Sequence, residues 1–194
     1  MYHVLFRDAS FWAFLFDVDK NLANQARQQG CPCGGRLHCA NYPRKPRGGC
    51  ENLPESYAYR LSFCCERDGC RKRTTPPSVR FLGRKVYLAA VVVLVAAIRH
   101  GPSPRRVREL TELFGADRCT IARWCTFWCE HFPQTPFWKV ARGRFRSSLA
   151  TAHLPRALFD AFIHREDSRE DWRRLLEFLS PITVTGGLAI EGIS

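Results

Sequence analysis

The sequence has few lysines, one methionine and no long apolar run. Its longest apolar run, residues 86–98, is too short to span a bilayer and predicts a buried helix, so we expect no membrane partner. Residues 1–17 lack the basic region of a secretory signal. We therefore expect a cytoplasmic protein whose ten cysteines stay free of disulfides.

The motifs of several common enzyme classes are also missing. The chain contains no glycine-rich phosphate loop, no Gly-x-Ser-x-Gly and no His-Glu-x-x-His. These absences predict a protein without catalytic residues, which acts by binding.

Positive charge is abundant and unevenly distributed. The formal net charge is +12, with +8 in residues 31–85 and +4 in residues 132–150, whereas residues 151–194 carry −2. Only five of the 30 basic residues are lysine, and arginine can grip a phosphate or a guanine edge with two parallel hydrogen bonds. A local excess of arginine predicts a nucleic acid as the partner.

The cysteines of the basic first half are spaced like metal ligands. Cys31 and Cys33 precede two glycines, and Cys65 and Cys70 form a second pair. Two close pairs of thiolates on separate turns predict a closed tetrahedral site for structural Zn²⁺. Cys64, Cys39, Cys50 and His38 are alternative ligands that the spacing does not exclude. Short strands are predicted at residues 57–63 and 79–82.

Residues 105–128 have the layout of a helix-turn-helix motif. Val107, Leu110 and Phe114 would line one helix, Gly115 would form the turn, and a second helix capped by Asp117 would run to about residue 131. Arg118 and Arg123 would point outward from the second helix and contact DNA bases or phosphates, and Thr120 would bind a phosphate. The rival interpretation is an ordinary helical hairpin.

Further basic residues are candidates for contacts to phosphates. They are Arg105 and Arg106 before the helix-turn-helix, and Arg71, Lys72, Arg73, Arg84 and Lys85 after the second cysteine pair. Residues 44–47, Arg-Lys-Pro-Arg, predict an exposed arm that enters a minor groove.

These features together resemble a known kind of module. The cysteine pairs that end in Gly-Cys-Arg-Lys-Arg, an apolar helix and the segment Thr-Ile-Ala-Arg-Trp-Cys resemble the zinc-ribbon plus helix-turn-helix modules of bacterial insertion-sequence transposases and related mobile-element proteins. The resemblance covers residues 31–131. It implies a bacterial, nucleoid-associated protein with Cys31, Cys33, Cys65 and Cys70 as zinc ligands and Arg118, Thr120 and Arg123 as recognition residues.

The predicted architecture is mainly α, with a small zinc-ribbon β element and a helix-turn-helix domain. Ser10 is predicted to cap a first helix that ends at Gly30, and the capping pair Ser168 and Asp171 to begin the last one. The predicted divisions are residues 1–30 (N-terminal helix), 31–85 (zinc ribbon with a basic loop), 86–131 (helix-turn-helix), 132–150 (extended basic connector) and 151–194 (C-terminal helices and an apolar tail).

Three functions are weighed on these grounds. The first is a zinc-stabilised reader of duplex DNA, either a mobile-element accessory factor or a transcription regulator. The alternative is a protein-interaction subunit of a larger complex that contains DNA or RNA, which would bind its partner through the C-terminal region. A nuclease or transposase is the third, and it is disfavoured because the 63 residues after 131 are too few for a transposase core with three metal-binding carboxylates.

Overall fold

The computed structural model describes residues 2–82, 87–99, 108, 111–145, 149–165 and 168–184. The helices are α1 (Tyr2–Arg7), α2 (Ala9–Gln29), α3 (Ala89–Arg99), α4 (Arg118–Thr126), α5 (Pro136–Ala141), α6 (Arg156–Phe162) and α7 (Arg169–Leu179). The strands are β1 (Leu37–Cys39), β2 (Tyr42–Pro43), β3 (Tyr59–Arg60), β4 (Phe63–Cys65) and β5 (Arg73–Thr74). The chain is mainly helical with small antiparallel sheets, as its sequence predicts.

The long helix α2 starts slightly earlier than predicted, because Asp8 and not Ser10 caps it. The Asp8 carboxylate accepts a hydrogen bond of 2.9 Å from the Ser10 amide. Gly30 ends the helix with a φ of +71°, which confirms the predicted stop. Phe11, Trp12 and other apolar residues of α2 are fully buried, and the helix packs against α7.

The cysteine-rich segment forms two small sheets. In the first, β4 lies between β1 and β5, with Leu37 opposite Cys65. In the second, β2 pairs with β3. The strand predicted at residues 57–63 is wrong in part, because Glu55–Ala58 form a 3-10 turn and the strands lie on either side of residues 61 and 62.

The strand predicted at residues 79–82 does not form. The amide of Val79 donates to the Asp19 carboxylate at 2.7 Å, so a side chain on α2 occupies a donor that a sheet would use. Phe81 makes an isolated bridge to Leu88 at the start of α3.

Helix α3 forms the centre of the helical core. Each of residues 88–97 is at most 2% exposed. A helix that is apolar on every side must be covered all round, and α4, α6 and α7 pack against this one. Among the described residues, no helix combines the length and the apolarity that a membrane crossing requires.

The predicted helix-turn-helix lies only partly within the described chain. Residues 108 and 111–114 are helical, and Gly115 follows with a φ of +61°. Asp117 caps α4 as predicted, because its carboxylate accepts from the Thr120 amide at 2.7 Å. The hydroxyl of Tyr87 donates to the Gly115 carbonyl at 2.7 Å and holds this turn against the start of α3.

The prediction of an extended connector at residues 132–150 is wrong. This segment contains a 3-10 turn (Phe132–Gln134), then α5, then a second 3-10 turn (Arg142–Arg144). Thr135 caps α5 by accepting from the Trp138 amide at 3.1 Å, and Pro136 occupies its first turn. The fully buried Trp138 anchors the segment in the core.

Two helices, α6 and α7, form in residues 151–184, where the sequence predicts C-terminal helices. The Ser168 hydroxyl accepts from the Asp171 amide at 3.2 Å, which confirms the predicted capping pair. Ser180–Thr183 form a 3-10 turn, and residues 185–194 of the predicted apolar tail lie outside the described chain.

A buried ion pair joins α2 to the chain after β5. The Arg80 guanidinium donates to the Asp19 carboxylate at 2.8 Å, and both side chains are at most 1% exposed. The guanidinium also donates to the carbonyls of Tyr57 and Tyr59, at 2.9 and 3.0 Å. The pair therefore links the helical core to the 3-10 turn and strand at residues 55–60.

Candidate metal centre

The structure brings together the four predicted ligands Cys31, Cys33, Cys65 and Cys70. Their sulfur atoms all lie within 4.8 Å of one another. The Cys33 and Cys65 sulfurs are 3.5 Å apart, and those of Cys31 and Cys70 are 3.7 Å apart. A metal about 2.3 Å from each of four tetrahedral thiolates places the sulfurs about 3.8 Å apart, so this four-thiol cluster can hold one metal ion.

The loop after α2 presents the first two thiols. The Gly34 amide donates to the Cys31 carbonyl at 2.8 Å, and the Cys31 amide donates to the Gly35 carbonyl at 3.2 Å. Gly34 has a φ of +78°, a conformation that favours glycine. This tight turn directs the amide of Cys33 to the Cys31 sulfur and the amide of Gly35 to the Cys33 sulfur.

The end of β4 and the following turn present the other two thiols. The amide of Arg67 hydrogen-bonds to the Cys65 sulfur, and the Cys70 amide donates to the Arg67 carbonyl at 2.9 Å. The Glu66 amide donates to the Arg36 carbonyl at 3.0 Å and so ties the second half of the site to the first. Amide donors stabilise thiolates, which are the form that binds metal.

The four sulfurs influence one another's protonation. Hydrogen bonds from the Gly35 amide and from the thiols of Cys31 and Cys65 lower the pKa of Cys33 to about 7. At Cys65 the Arg67 amide lowers the pKa, but burial and the neighbouring sulfurs outweigh it and raise that pKa to about 12. The Cys65 thiol therefore keeps its proton at neutral pH, and a metal must displace that proton when it binds.

The alternative ligands lie outside the cluster. The Cys64 thiol lies 3.4 Å from the Arg71 carbonyl, and Cys39 is exposed. Cys50 packs against the main helical core, and His38 lies 3.2 Å from the Glu66 carboxylate. Neighbours on a strand point to opposite faces, so Cys65 turns toward the site while Cys64 turns away.

Gly35→Ala is expected to weaken metal binding. A Cβ atom at Gly35 would lie 2.6 Å from the Cys65 sulfur and 3.0 Å from Cγ of Arg67. Overpacking of this kind costs about 1–3 kcal/mol, which corresponds to about 5- to 150-fold in affinity for Zn²⁺. Competition titration with a chromophoric chelator measures this change.

Gly69→Ala is the matched control, because a Cβ atom at Gly69 would meet no atom within 4 Å. Its affinity for Zn²⁺ should equal that of the wild type. Equal affinities for the Gly35 variant and the control would contradict the close contact of Gly35 with the thiol cluster.

Arg67 is a site residue that the sequence prediction missed. Its guanidinium donates to the Cys33 carbonyl at 2.6 Å, in addition to the contact of its amide with Cys65. It therefore bridges the two halves of the site. Its position inside the Cys65–Cys70 turn was a usable signal, but the adjacent run Arg71–Lys72–Arg73 is the more conspicuous feature of the sequence.

The three basic residues after Cys70, residues 71–73, differ in their contacts and exposure. Arg71 pairs with Asp68, and Arg73 donates to the Ala40 carbonyl at 2.7 Å. Lys72 is exposed. Two of these three predicted nucleic-acid contacts therefore also stabilise the cysteine-rich segment.

The predicted contacts on α4 also differ from one another. Arg118 is exposed. Thr120 is 8% exposed, and its hydroxyl donates to the Asp117 carboxylate at 2.9 Å and accepts from the exposed Arg123 at 3.1 Å. The predicted contacts Arg84, Lys85, Arg105 and Arg106 lie outside the described residues.

The prediction that residues 44–47 form a free arm is wrong. The Arg44 amide donates to the Ala58 carbonyl at 2.6 Å, and the Leu88 amide donates to the Arg47 carbonyl at 3.0 Å. A Cβ atom at the neighbouring Gly48 would lie 3.0 Å from Val91, so the backbone lies directly on α3. The loop therefore covers part of the helical core.

Comparison of this chain with protein-family models, curated proteins and solved structures finds no match. The resemblance to zinc-ribbon and helix-turn-helix modules therefore stays a prediction.

Proposed function

We propose that this protein is a zinc-stabilised DNA-binding protein without catalytic activity, and that α4 lies in the major groove of duplex DNA. The proposal rests on which residues of α4 are buried and which are exposed. Ile121 and Trp124 are buried against the core, whereas Arg118 is exposed at the start of the helix, after the Gly115 turn, and Arg123 is exposed in its last turn. Recognition helices of helix-turn-helix proteins contact bases with their N-terminal residues in this way.

Zinc fits the four-thiol cluster better than hard cations do. A closed set of four sulfurs at tetrahedral spacing is the usual structural zinc site, and hard cations such as Mg²⁺ or Ca²⁺ require oxygen ligands. Bound zinc would supply no reaction chemistry here. It would hold the loop after α2 and the turn at residues 65–70 together.

The size of an α-helix favours duplex DNA over RNA as the partner of α4. The major groove of B-form DNA admits an α-helix, while the major groove of A-form RNA is too narrow for side chains to read. On the basis of the resemblance of the sequence to mobile-element modules, we propose a role as a mobile-element accessory factor or a transcription regulator, at the bacterial nucleoid.

The surroundings of the described C-terminal carboxylates support a binding role over a catalytic one. Asp160 pairs with Arg156, and Glu170 pairs with Arg173 and Arg174. Asp171 accepts from the amides of His164 and Arg165, which lie in the loop after α6. The pairs of Asp160 and Glu170 lie within single helices, and the contacts of Asp171 join the loop after α6 to α7.

Substitution of both exposed α4 arginines is expected to weaken DNA binding. The double variant Arg118→Ala/Arg123→Ala should lose at least about tenfold in affinity for random duplex DNA at about 100 mM salt, because each arginine contact to a phosphate contributes about 0.9 to the slope of log K against log salt concentration. Fluorescence anisotropy with random duplex DNA, single-stranded DNA and structured RNA measures both the affinity and the preference.

The control variant is Arg7→Ala/Arg165→Ala, which removes the same charge from exposed positions on other elements. It should retain nearly the wild-type affinity. Equal losses in the two variants would contradict a specific role for α4. Failure of the wild type to bind any nucleic acid at low salt would favour the protein-interaction alternative.

A further inference from the structure

A second exposed basic surface lies on α5 and the turn after it. Trp138 and Ala141 face inward and are buried, with the Trp138 ring 5.2 Å from that of Phe132. Lys139, Arg142 and Arg144 are all exposed on the outer side. The buried tryptophan and the Thr135 cap therefore hold these three cations on a fixed base.

The cations of this surface differ from those of the neighbouring helices in their pairing. On α6 and α7, Arg156 lies 2.9 Å from Asp160, and Arg173 lies 2.5 Å from Glu177. Within the described part of the chain, no carboxylate lies within ion-pair distance of Lys139, Arg142 or Arg144. Residues 132–150 contain no acid at all.

Three uncompensated cations on one short segment repel one another and attract a polyanion. We propose that this α5 surface, made of Lys139, Val140, Arg142 and Arg144, binds the phosphodiester backbone of the nucleic acid that α4 reads. The inference rests on the proposed function and adds a second surface that contacts the nucleic acid. The surface would fix the register of the protein on the duplex and would carry no base preference of its own.

The apolar content of the surface favours a nucleic acid over an anionic membrane. Val140 is 75% exposed, but it stands alone among the three cations. Membrane-binding helices bury a whole face of large apolar residues, and here the corresponding residues Phe137 and Trp138 pack into the core.

The triple variant Lys139→Ala/Arg142→Ala/Arg144→Ala tests this inference. Each phosphate contact contributes about 0.9 to the slope of log K against log salt concentration, so the slope should become shallower by up to about 2.7. Affinity for random duplex DNA near 100 mM KCl should fall by about 10- to 100-fold, while the preferred sequence selected from random duplexes should stay unchanged.

The matched control is Arg7→Ala/Arg27→Ala/Arg165→Ala, which removes three exposed charges from separate elements. It should keep a slope close to that of the wild type. A wild-type slope in the α5 variant, with wild-type binding intact, would overturn this inference and leave the role of α4 standing. Absence of nucleic-acid binding by the wild type would overturn both. Vesicles of phosphatidylserine and phosphatidylcholine provide the last arm: capture of the wild type but not of the α5 variant would assign the surface to a membrane.

Discussion

Removal of the metal, or the substitution Cys70→Ser, is expected to unfold the metal-site part of the cysteine-rich segment, residues 31–40 and 61–75, while the helical core and the residues that pack on it persist. The strands of this segment are two or three residues long, and its small core consists of Ala23, Cys31, Leu37, Phe63 and Cys65. Sheets this short are not stable alone. In comparable peptides zinc binding supplies about 10–16 kcal/mol, and that energy becomes folding energy.

Hydrogen exchange measured by mass spectrometry, with and without a chelator, reports this change. The amides of Cys65, Glu66 and Cys70 donate within the segment and should lose their protection. Amides of α3 should keep theirs, because that helix is buried on all sides in a separate core.

Cys64→Ser is the control for the cysteine variant. Its thiol is the immediate neighbour of Cys65 but lies outside the four-thiol cluster, so the variant should keep wild-type exchange and metal content. Unchanged protection in protein shown by metal analysis to be metal-free would contradict a structural role for the site.

Asp19→Ala is expected to destabilise the protein by about 3–5 kcal/mol, because it leaves the buried Arg80 without its counter-ion. The Asp19 carboxylate also accepts from the Ser78 hydroxyl and the Val79 amide, both at 2.7 Å. The Arg80 guanidinium carbon lies 4.2 Å from the centre of the Phe16 ring, so no water shell replaces the lost carboxylate. Urea unfolding followed by circular dichroism measures the loss.

Asp17→Ala supplies the comparison on the same helix. Asp17 pairs with Lys20 at 2.5 Å, and both side chains are more than half exposed, so its removal should cost less than about 1 kcal/mol. The double variant Asp19→Ala/Arg80→Met should recover part of the stability that Asp19→Ala loses, since it removes the unpaired buried charge. Equal stability of the Asp19 and Asp17 variants would contradict this account of the ion pair.

The four-thiol cluster was predictable because the signals for it are local. Cys31-Pro-Cys33-Gly-Gly is a single turn, and Cys65 and Cys70 belong to a second. The sequence alone does not show which of the neighbours Cys64 and Cys65 belongs to the cluster. That depends on the register of β4 against β1, which sets Cys65 opposite the buried Leu37.

The buried ion pair and the α5 segment escaped prediction for different reasons. Asp19 and Arg80 are 61 residues apart, and no local pattern distinguishes them from solvent-exposed charges. In residues 132–150 the helix signals were present, with Thr135 as the cap and Pro136 at the first turn, but the arginines and prolines resemble those of a linker. Burial of Trp138 in the core stabilises the helix, and that contact is not visible in the local sequence.

Chemical protection of guanine N7 most directly tests the claim that α4 reads the major groove of duplex DNA. A duplex selected from random sequences with zinc-loaded protein would be treated with dimethyl sulfate in the presence of the protein. The account predicts that the wild type protects guanines at N7, an atom that lies in the major groove, and that Arg118→Ala/Arg123→Ala abolishes this protection. Selection of no duplex, or a bound duplex whose guanines all react as in free DNA, would contradict it.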